Sequence, residues 1–291
     1  MSKVVAIGIF DGVHLGHQQI INTAKDQGDV TVITFDPHPV SIVAPDHTPT
    51  QLMPLKDRVQ LLMAAGAKSV EVVNFTKEFS QLSADQFIED ILLGRFAVEH
   101  VVIGQNFNFG HKAQGTPKYL TQVGPKYGFG VSVVKLAENR GATISSTQIR
   151  SLITTGEIER ANELLTRNYY LKGIVVHGEK RGREIGYPTA NIGLDQLATV
   201  PADGVYAGWL NVDDKRWPAA ISIGTNPTFA GVRGRQVEAY AIDEIGLELY
   251  DKAAKLELGF RLRETIKFDG LAPLLEQMKK DCDQARKLTS K

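Results

Sequence analysis

Cysteine is almost absent: Cys282 is the single one in 291 residues. One cysteine excludes an intrachain disulfide and favours a reducing compartment, so we expect a cytoplasmic protein. Net charge is also absent, because 33 Lys and Arg balance 33 Asp and Glu. A general nucleic-acid binder would usually be basic, so we expect no nucleic-acid partner.

Long apolar runs are missing as well. No stretch is long and apolar enough to span a bilayer, so we expect no membrane partner. The short apolar run at residues 4–7 meets Asp11 almost at once, which is unlike a signal peptide. Nothing in the sequence indicates the oligomeric state.

The first half of the chain alternates short β-branched runs with helical periodicity. Strands are predicted at residues 4–7, 30–35, 70–73, 100–103 and 131–134, and helices at 54–65, 83–92, 119–127 and 157–165. Ser83 and Gln86 match a capping-box pattern at the start of the second helix. Alternating strands and helices predict a parallel sheet with helices on both faces, a Rossmann-like α/β domain. In such a sheet the ligand lies beyond the carboxyl ends of the strands.

The second half changes character near residue 166. Short strands broken by Gly, Pro and Asn are predicted at residues 170–176, 204–211, 219–223 and 237–242. They favour an antiparallel barrel or sandwich. An amphipathic helix follows from residue 271, with Asp269 as its expected N-cap. The length suits two domains, which we place at residues 1–166 and 167–291.

A glycine-rich turn follows the first predicted strand. Residues 8–17 read Gly-Ile-Phe-Asp-Gly-Val-His-Leu-Gly-His, and a helix should begin at the histidines. A helix N-terminus attracts phosphate, and glycine permits close approach. His14 and His17 could instead join His38 on a metal, although no fourth ligand is apparent, or be ordinary surface histidines. The spacing matches neither a P-loop nor Gly-x-Gly-x-x-Gly.

The His-x-Gly-His string closely resembles the signature of the nucleotidyltransferase superfamily. Members transfer nucleotidyl groups from nucleoside triphosphates to many acceptors. The resemblance therefore implies the reaction but leaves the acceptor open, and the rest of the chain must identify it.

Three further strings punctuate the first domain. Residues 35–39 read Phe-Asp-Pro-His-Pro, which alone indicates a rigid turn. Residues 104–110 place two aromatic and three amide side chains between glycines, which suits either a packed loop or a flavin or adenine contact, with Asn106 hydrogen-bonding the ligand. Residues 144–150 read Ile-Ser-Ser-Thr-Gln-Ile-Arg, which predicts a capped helix start and also a triphosphate cradle.

The second domain carries a basic, glycine-rich stretch at residues 178–191 that ends in Pro-Thr-Ala-Asn. It is either a mobile basic loop or a phosphate cradle. In the second interpretation, Thr189 and Asn191 supply oxygen ligands to Mg²⁺. Glu238 lies in an otherwise apolar strand, where an unneeded carboxylate would be costly to bury. A solvent-facing glutamate remains the alternative.

Together the strings resemble the prokaryotic bifunctional riboflavin kinase/FMN adenylyltransferase family, over essentially the whole chain. The resemblance implies a Rossmann-like nucleotidyltransferase domain followed by a β-barrel riboflavin kinase domain with a C-terminal helix. The resemblance implies that ATP phosphorylates riboflavin to FMN in the second domain and adenylylates FMN to FAD in the first, with Mg²⁺. It implies His14, His17 and Glu238 as catalytic residues. Implied ATP contacts in the first domain are Gly8, Phe10, Asp11, Gly12, His14, Gly16, His17, Ser146, Thr147 and Arg150. Implied flavin contacts there are Phe35, Asp36, Pro37, His38, Asn106 and Phe107.

For the kinase domain the implied ATP contacts are Gly178, Arg181, Gly182, Gly186, Thr189 and Asn191, and the implied flavin contacts are Arg261, Arg263 and Glu264. Departures are few: Thr143 stands where some members carry Arg, and Tyr240 stands where His is commoner. Two other functions stay open. One is a nucleotidyltransferase for another phosphorylated acceptor, which Pro-Thr-Ala-Asn argues against. The other is a flavin-binding regulator that has lost its chemistry.

Overall fold

The computed structural model describes residues 3–135, 137–139, 141–178, 182, 185–224 and 235–290. Two compact units, Met1–Gln148 and Ile149–Lys291, divide the chain by their internal contacts. The domain boundary at 166/167 stays a prediction, and each unit is described below by itself.

The first unit is built on a five-stranded parallel sheet in the order β3-β2-β1-β4-β5, which confirms the predicted class. Its strands are β1 (Lys3–Ile7), β2 (Asp29–Asp36), β3 (Ser69–Asn74), β4 (His100–Gly104) and β5 (Gly130–Val134). A two-stranded antiparallel ribbon of β6 (Glu138–Asn139) and β7 (Ala142–Thr143) follows, which the sequence analysis missed.

Helices connect these strands, with lengths close to those predicted. They are α1 (Leu15–Lys25), α2 (Pro39–Val43), α3 (Leu55–Ala64), α4 (Ala84–Gln86) and α5 (Pro117–Tyr127), with 3₁₀ turns at Pro45–His47, Phe79–Gln81 and His111–Ala113. Ser83 and Gln86 form the predicted capping box at the start of α4. Beyond α4 the chain continues as a π-helix over Phe87–Arg95, a widening that hydrophobic periodicity did not indicate.

Alternation along β1 separates two cores. Val5 and Ile7 face one buried cluster, with Phe35, Phe87 and Ile103 among its members. Val4 and Ala6 belong to a second buried cluster on the opposite face, with the α1 side chains Ile20 and Ile21. Each face of the sheet is therefore covered by helices, as the strand–helix alternation requires.

The strand order creates a switch point between β1 and β4. From β1 the chain builds outward through β2 and β3, then returns to place β4 on the other side of β1. Loops that leave the carboxyl ends of β1 and β4 therefore diverge, which opens a crevice where doubly wound sheets bind ligands. The loop that carries His14 follows β1, and the loop that carries Asn106 follows β4.

The second unit is a closed antiparallel barrel in the order β10-β11-β12-β9-β8-β13. Its strands are β8 (Tyr169–Val176), β9 (Thr189–Leu194), β10 (Gly204–Val212), β11 (Lys215–Gly224), β12 (Gln236–Ala241) and β13 (Ala253–Arg263). The strand pattern alone left barrel or sandwich open, and the closed barrel confirms the β-barrel that the family resemblance implied. Strand β13 was not predicted. In β13, Ala254, Leu256 and Leu258 are buried while charged side chains occupy alternate positions. That alternation is the signal that was overlooked.

Three helices belong with the barrel or lead into it: α6 (Ser146–Thr155), α7 (Ile158–Leu165) and α8 (Leu271–Thr289). On α7, the Asn162 amide donates to the Leu258 carbonyl (2.9 Å) and accepts from the Tyr169 N–H (2.6 Å). The last helix places Ala285 against Ala207 and Ile242. Our prediction of an Asp269 N-cap is wrong, because α8 begins after Gly270 without a side-chain cap.

Candidate functional sites

The loop after β1 is a tight turn in an unusual conformation. Phe10 (φ 55°), Gly12 (φ 89°) and Val13 (φ 39°) all have positive φ, which costs about 1–3 kcal/mol for residues other than glycine. Phe10 and Val13 are fully buried, and the Val13 N–H donates to the Phe10 carbonyl over 3.0 Å. Packing thus holds a strained turn of the kind that occurs at functional sites.

This turn delivers the two histidines to the start of α1. His14 is the N-cap residue, with extended backbone angles and only 4% exposure. The rings of His14 and His17 stack with centroids 3.6 Å apart. The rings of Phe10 and His17 meet in a T-shaped arrangement with centroids 5.2 Å apart. Two imidazoles are therefore fixed at the positive end of a helix, where their N–H groups can donate to phosphate oxygens.

Asp11 fastens the same loop to two distant segments. Its buried carboxylate accepts the Leu52 N–H at 3.1 and 3.0 Å, and its carbonyl accepts the Ser146 hydroxyl at 2.8 Å. Ser145 accepts the Gln148 N–H at 3.2 Å, which is the hydroxyl cap expected for α6. Thr147 is exposed. Phosphate contacts of Asp11, Ser146, Thr147 and Arg150 stay predictions, as do those of Gly8, Gly12 and Gly16.

The Phe-Asp-Pro-His-Pro string follows β2, and its Asp36–Pro37 peptide is cis. His38 caps α2 by accepting the Val40 N–H on Nδ1 (3.2 Å). The Phe35 ring is 5% exposed and packs on Phe75 and Phe79 in the core. A flavin contact through that ring would need a rearranged core, whereas Asp36, Pro37 and His38 are at least partly exposed. All four flavin contacts stay predictions.

The loop after β4 carries the predicted ligand contacts Asn106 and Phe107. Asn106 is exposed, and Phe107 is half-buried and stacks on the buried Phe109 with centroids 5.7 Å apart. Gly104 lets the Asn106 side chain fold back, since a Cβ there would lie 3.1 Å from its Oδ1. Both predicted ligand contacts therefore border the crevice beyond β4, and their roles stay predictions.

Arg58 is a residue of this region that sequence analysis missed. It lies on α3, is 7% exposed, and donates to the Ile9 carbonyl (2.9 Å) and the Phe35 carbonyl (3.3 Å). Its guanidinium also lies 3.6 Å from the Asp36 carboxylate. The available signal was an arginine within the first turns of an amphipathic helix, which by itself reads as a solvated charge.

The barrel brings the predicted kinase residues onto two paired strands. Glu238 on β12 lies opposite Asn191 on β9, and Tyr240 lies opposite Thr189. The Thr189 hydroxyl donates to the Glu238 carboxylate over 3.3 Å. Burial raises the pKa of Glu238, and the Thr189 hydrogen bond partly opposes the rise. A carboxylate with a raised pKa is suited to accept a proton near neutral pH.

Glycine permits a close approach beside this pair. A Cβ on Gly178 would lie 2.2 Å from the Asn191 amide nitrogen, so only glycine fits there without displacing that side chain. Gly182 accepts the Tyr187 N–H at 2.7 Å, and Gly186 has φ 85°. Arg181 lies outside the described residues.

The predicted flavin contacts at the end of β13 are engaged within the unit. Arg263 forms a two-pronged ion pair with Asp281 of α8, at 2.6–3.0 Å. Arg261 donates its backbone N–H to Glu159 (3.1 Å) and its guanidinium to the Asp203 carbonyl (3.0 Å). Only the Glu264 side chain is largely exposed, at 85%. A flavin role for the arginines stays a prediction, and the structure shows them joining β13 to its neighbours.

Metal ligands of the usual nitrogen, sulfur and carboxylate type do not cluster in the part of the chain that is described: no group of three His, Cys, Asp or Glu is placed to hold an ion. The Thr189 hydroxyl and the Asn191 amide supply oxygens two positions apart on β9, where alternate residues share one face of the strand. Mg²⁺ prefers few protein oxygens and completes its shell with phosphate and water. Because Gly178 has no side chain, the Asn191 amide can occupy its position and remain available as a Mg²⁺ ligand.

Two stacked histidines at a parallel-sheet switch point and a carboxylate–hydroxyl pair on a barrel suit a transferase with two catalytic units. Family comparisons agree. The profile described as FAD synthetase matches residues 1–148, and the profile described as riboflavin kinase matches residues 165–289.

No helix of the described residues is long and apolar enough to cross a membrane.

Relatives match along nearly the whole chain. The bifunctional riboflavin kinase/FMN adenylyltransferase of Bacillus subtilis is 40% identical over 97% of this chain and 91% of its own. The Escherichia coli K12 enzyme of the same description is 34% identical over 96% and 90%. The chain belongs to this bifunctional riboflavin kinase/FMN adenylyltransferase family.

One solved structure shares the architecture. A crystal structure described as a macrolide-efflux protein from Streptococcus pneumoniae is 30% identical, with a TM-score of 0.87 over 98% of this chain and 94% of its own. The word efflux belongs to the description of that protein and is not transferred to this chain. Its likeness shows the fold, while the family profiles and the relatives point to flavin chemistry.

Proposed function

We propose that the two activities of the family are divided between the two units of this chain. The barrel phosphorylates riboflavin with ATP to give FMN and ADP. The parallel-sheet unit then adenylylates FMN with a second ATP to give FAD and pyrophosphate. The observation that carries this division is that each family profile falls on one half, and each half holds its own candidate site.

In the barrel, Glu238 acts as general base. Its carboxylate accepts the proton of the ribityl 5′-hydroxyl while that oxygen attacks the γ-phosphorus of ATP. The raised pKa of Glu238 supports this role, because a more basic carboxylate takes the proton more readily. Gly178, Arg181, Gly182 and Gly186 would cradle the phosphates. Phosphoryl transfer depends mainly on positioning and electrostatics, so a cradle and one base are sufficient.

Thr189 and Asn191 would hold Mg²⁺ through their side-chain oxygens. The ion, when bound, supplies positive charge that offsets the charge on the ATP phosphates. Thr189 can serve both neighbours, because its hydroxyl hydrogen points to Glu238 and its oxygen keeps lone pairs for a cation. The fit of these two donors to a hard cation supports the assignment.

In the parallel-sheet unit, the FMN phosphate attacks the α-phosphorus of ATP directly. A phosphate dianion is already a nucleophile, so no strong base is required. His14 and His17, stacked at the N-terminus of α1, donate to oxygens that gain charge in the transition state and on pyrophosphate. Ser146, Thr147 and Arg150 hold the outer phosphates, and Asn106 orients a ligand.

The ligands of the chain are then the small molecules riboflavin, FMN, FAD and ATP. We place the protein in the cytoplasm, with no nucleic-acid or membrane partner. The balanced charge and single cysteine support this. The experiment is a time course of purified protein with riboflavin, ATP and Mg²⁺, with flavins separated by chromatography. FMN should appear first and FAD second. Flavin binding without conversion would favour the regulator instead.

A further inference from the structure

We propose that Arg58 is a positioning residue for adenylyl transfer, because its guanidinium ties the loop that carries His14 and His17 to the end of β2. The inference rests on the proposed function of that loop. Arg58 is not among the residues that the sequence strings implied, and it donates hydrogen bonds to the protein backbone.

The guanidinium bridges two loop starts. One terminal nitrogen donates to the Ile9 carbonyl at 2.9 Å, and the other donates to the Phe35 carbonyl at 3.3 Å. Strand β1 ends at Ile7, two residues before Ile9, and Phe35 is the penultimate residue of the neighbouring strand β2. One planar side chain thus holds the histidine loop and the Phe-Asp-Pro-His-Pro turn in fixed relation, which suits the rigid fork of arginine.

The Ile9 carbonyl is the point where the loop turns. It belongs to the peptide unit that leads into Phe10, the first residue with positive φ (55°). A second donor, the fully buried Thr34 hydroxyl, reaches the same carbonyl at 2.9 Å. Two donors therefore fix the orientation of that peptide, and the turn that begins there determines where His14 enters α1.

A buried cation here needs a reason, because an apolar side chain would pack at lower cost. Burial lowers the pKa of Arg58, and the carboxylates of Asp11 and Asp36 act against that shift. The charge is thus balanced by two acidic residues of the same two loops. Each loop contributes one carbonyl and one carboxylate to the same guanidinium environment.

Arg58 acts through the loops and does not itself touch substrate. Its side chain is only 8% exposed, and its two terminal nitrogens are directed at backbone carbonyls. The catalytic groups remain His14 and His17. Misplacement of such groups by about 1 Å can reduce a rate by roughly 100-fold. Loss of a bridge at the base of the loop should therefore lower the rate of adenylyl transfer.

The test compares Arg58→Met, Arg58→Lys and Thr34→Val in the full chain. The kinase activity of the same protein is the internal standard for intact folding, together with the thermal unfolding midpoint. Arg95→Met is the matched control, because Arg95 is an exposed arginine of the same unit whose nearest acidic partner, Glu71, is 3.6 Å away. Each variant is assayed for FMN-to-FAD conversion below its unfolding transition, with kcat and KM separated.

We expect Arg58→Met to lower kcat for adenylyl transfer by about 10- to 100-fold, with KM for ATP changed less and kinase activity near wild type. Lysine retains the charge and reaches one carbonyl, so Arg58→Lys should be intermediate. Thr34→Val should show a smaller loss of kcat, and Arg95→Met none. If Arg58→Met does not fold, the kcat values of Thr34→Val and Arg58→Lys for adenylyl transfer test the proposal instead.

A merely structural role would lower the unfolding midpoint and leave kcat unchanged in the folded protein, and that result overturns the proposal. Full activity in Arg58→Lys would overturn the bridge, since charge alone would then suffice. His17→Asn, assayed in parallel, separates this inference from the proposed function. If His17→Asn keeps adenylyl transfer, the site itself is wrong. If it loses the activity while the Arg58 variants keep theirs, only the role of Arg58 fails.

Discussion

The hydroxyl of Ser146 donates a 2.8 Å hydrogen bond to the backbone carbonyl of Asp11, which lies 135 positions earlier in the chain. Asp11 belongs to the strained loop before α1, and Ser146 is the first residue of α6. Two strings that look like separate phosphate sites in the sequence are therefore joined at their bases. The bond gives Ser146 a structural task in addition to its predicted phosphate contact.

Replacing His17 should affect the two activities very differently. We expect His17→Asn to lower FMN-to-FAD conversion by about 100-fold or more, since one preorganised donor to a developing charge has an effect of that order. The riboflavin-to-FMN rate should stay near wild type, because that reaction is assigned to the barrel. Chromatographic assay of both products in one preparation measures the two rates, and parallel loss of both in folded protein would contradict the two-site arrangement.

Replacing Glu238 should give the reverse pattern. Glu238→Gln removes the base and should lower FMN formation by about 100- to 10,000-fold, with FAD formation from supplied FMN intact. Because burial raises the pKa of Glu238, its ionised form disfavours the folded state at neutral pH. The unfolding midpoint of Glu238→Gln should therefore equal or exceed that of wild type. A markedly less stable variant would point to a structural carboxylate instead.

The kinase should also show an acid limb in its pH profile. Glu238 must be ionised to accept the proton, and its pKa is raised by burial. Riboflavin kinase kcat/KM should therefore fall as the pH decreases through a value above the ordinary glutamate pKa of about 4.3. The stability effect has the opposite sense: the favourable contribution of protonated Glu238 is lost as the pH rises through the same pKa. A kcat/KM that stays flat down to the ordinary glutamate pKa would contradict the base assignment.

Gly178 offers a test of the Mg²⁺ ligands. Gly178→Ala puts a methyl group 2.2 Å from the Asn191 amide and should displace it, raising the Mg²⁺ concentration for half-maximal kinase activity roughly 10-fold. Gly193→Ala is the matched control, since its methyl group meets only a Val176 methyl at 3.1 Å. Titration of kinase activity with Mg²⁺ compares the two variants. Equal Mg²⁺ requirements would argue against Asn191 as a ligand.

Asn162 should be important for the stability of the barrel unit. Its side chain bonds both β13 and the residue that opens β8, so Asn162→Ala leaves a carbonyl and an N–H without their partner. Loss of about 1–3 kcal/mol is expected, measured by urea unfolding with kinase activity as the probe. Asn211→Ala removes one bond to the Lys255 carbonyl and should have a smaller effect. An unchanged midpoint in Asn162→Ala would show that α7 does not brace the barrel.

The sequence predicted elements well where periodicity or capping was strong. The capping box at Ser83 and the five parallel strands have the expected form. It failed at β13, where the alternation of buried and charged residues was overlooked. It also failed at the π-helix Phe87–Arg95, whose apolar face resembles that of an α-helix. Local pattern fixes the type of an element better than its hydrogen-bond register.

Short-range patterns in the sequence were sufficient to indicate phosphate chemistry, because the His-x-Gly-His string, the Pro-Thr-Ala-Asn string and the glycine turns combine residue types suited to it. Which side chains contact one another depends on the tertiary structure. It stacked His14 on His17, set Thr189 against Glu238, and committed Arg263 to Asp281. It also buried Arg58 between two loop carbonyls. Such contacts join residues far apart in the chain, and strand order and packing, which no local pattern contains, bring them together.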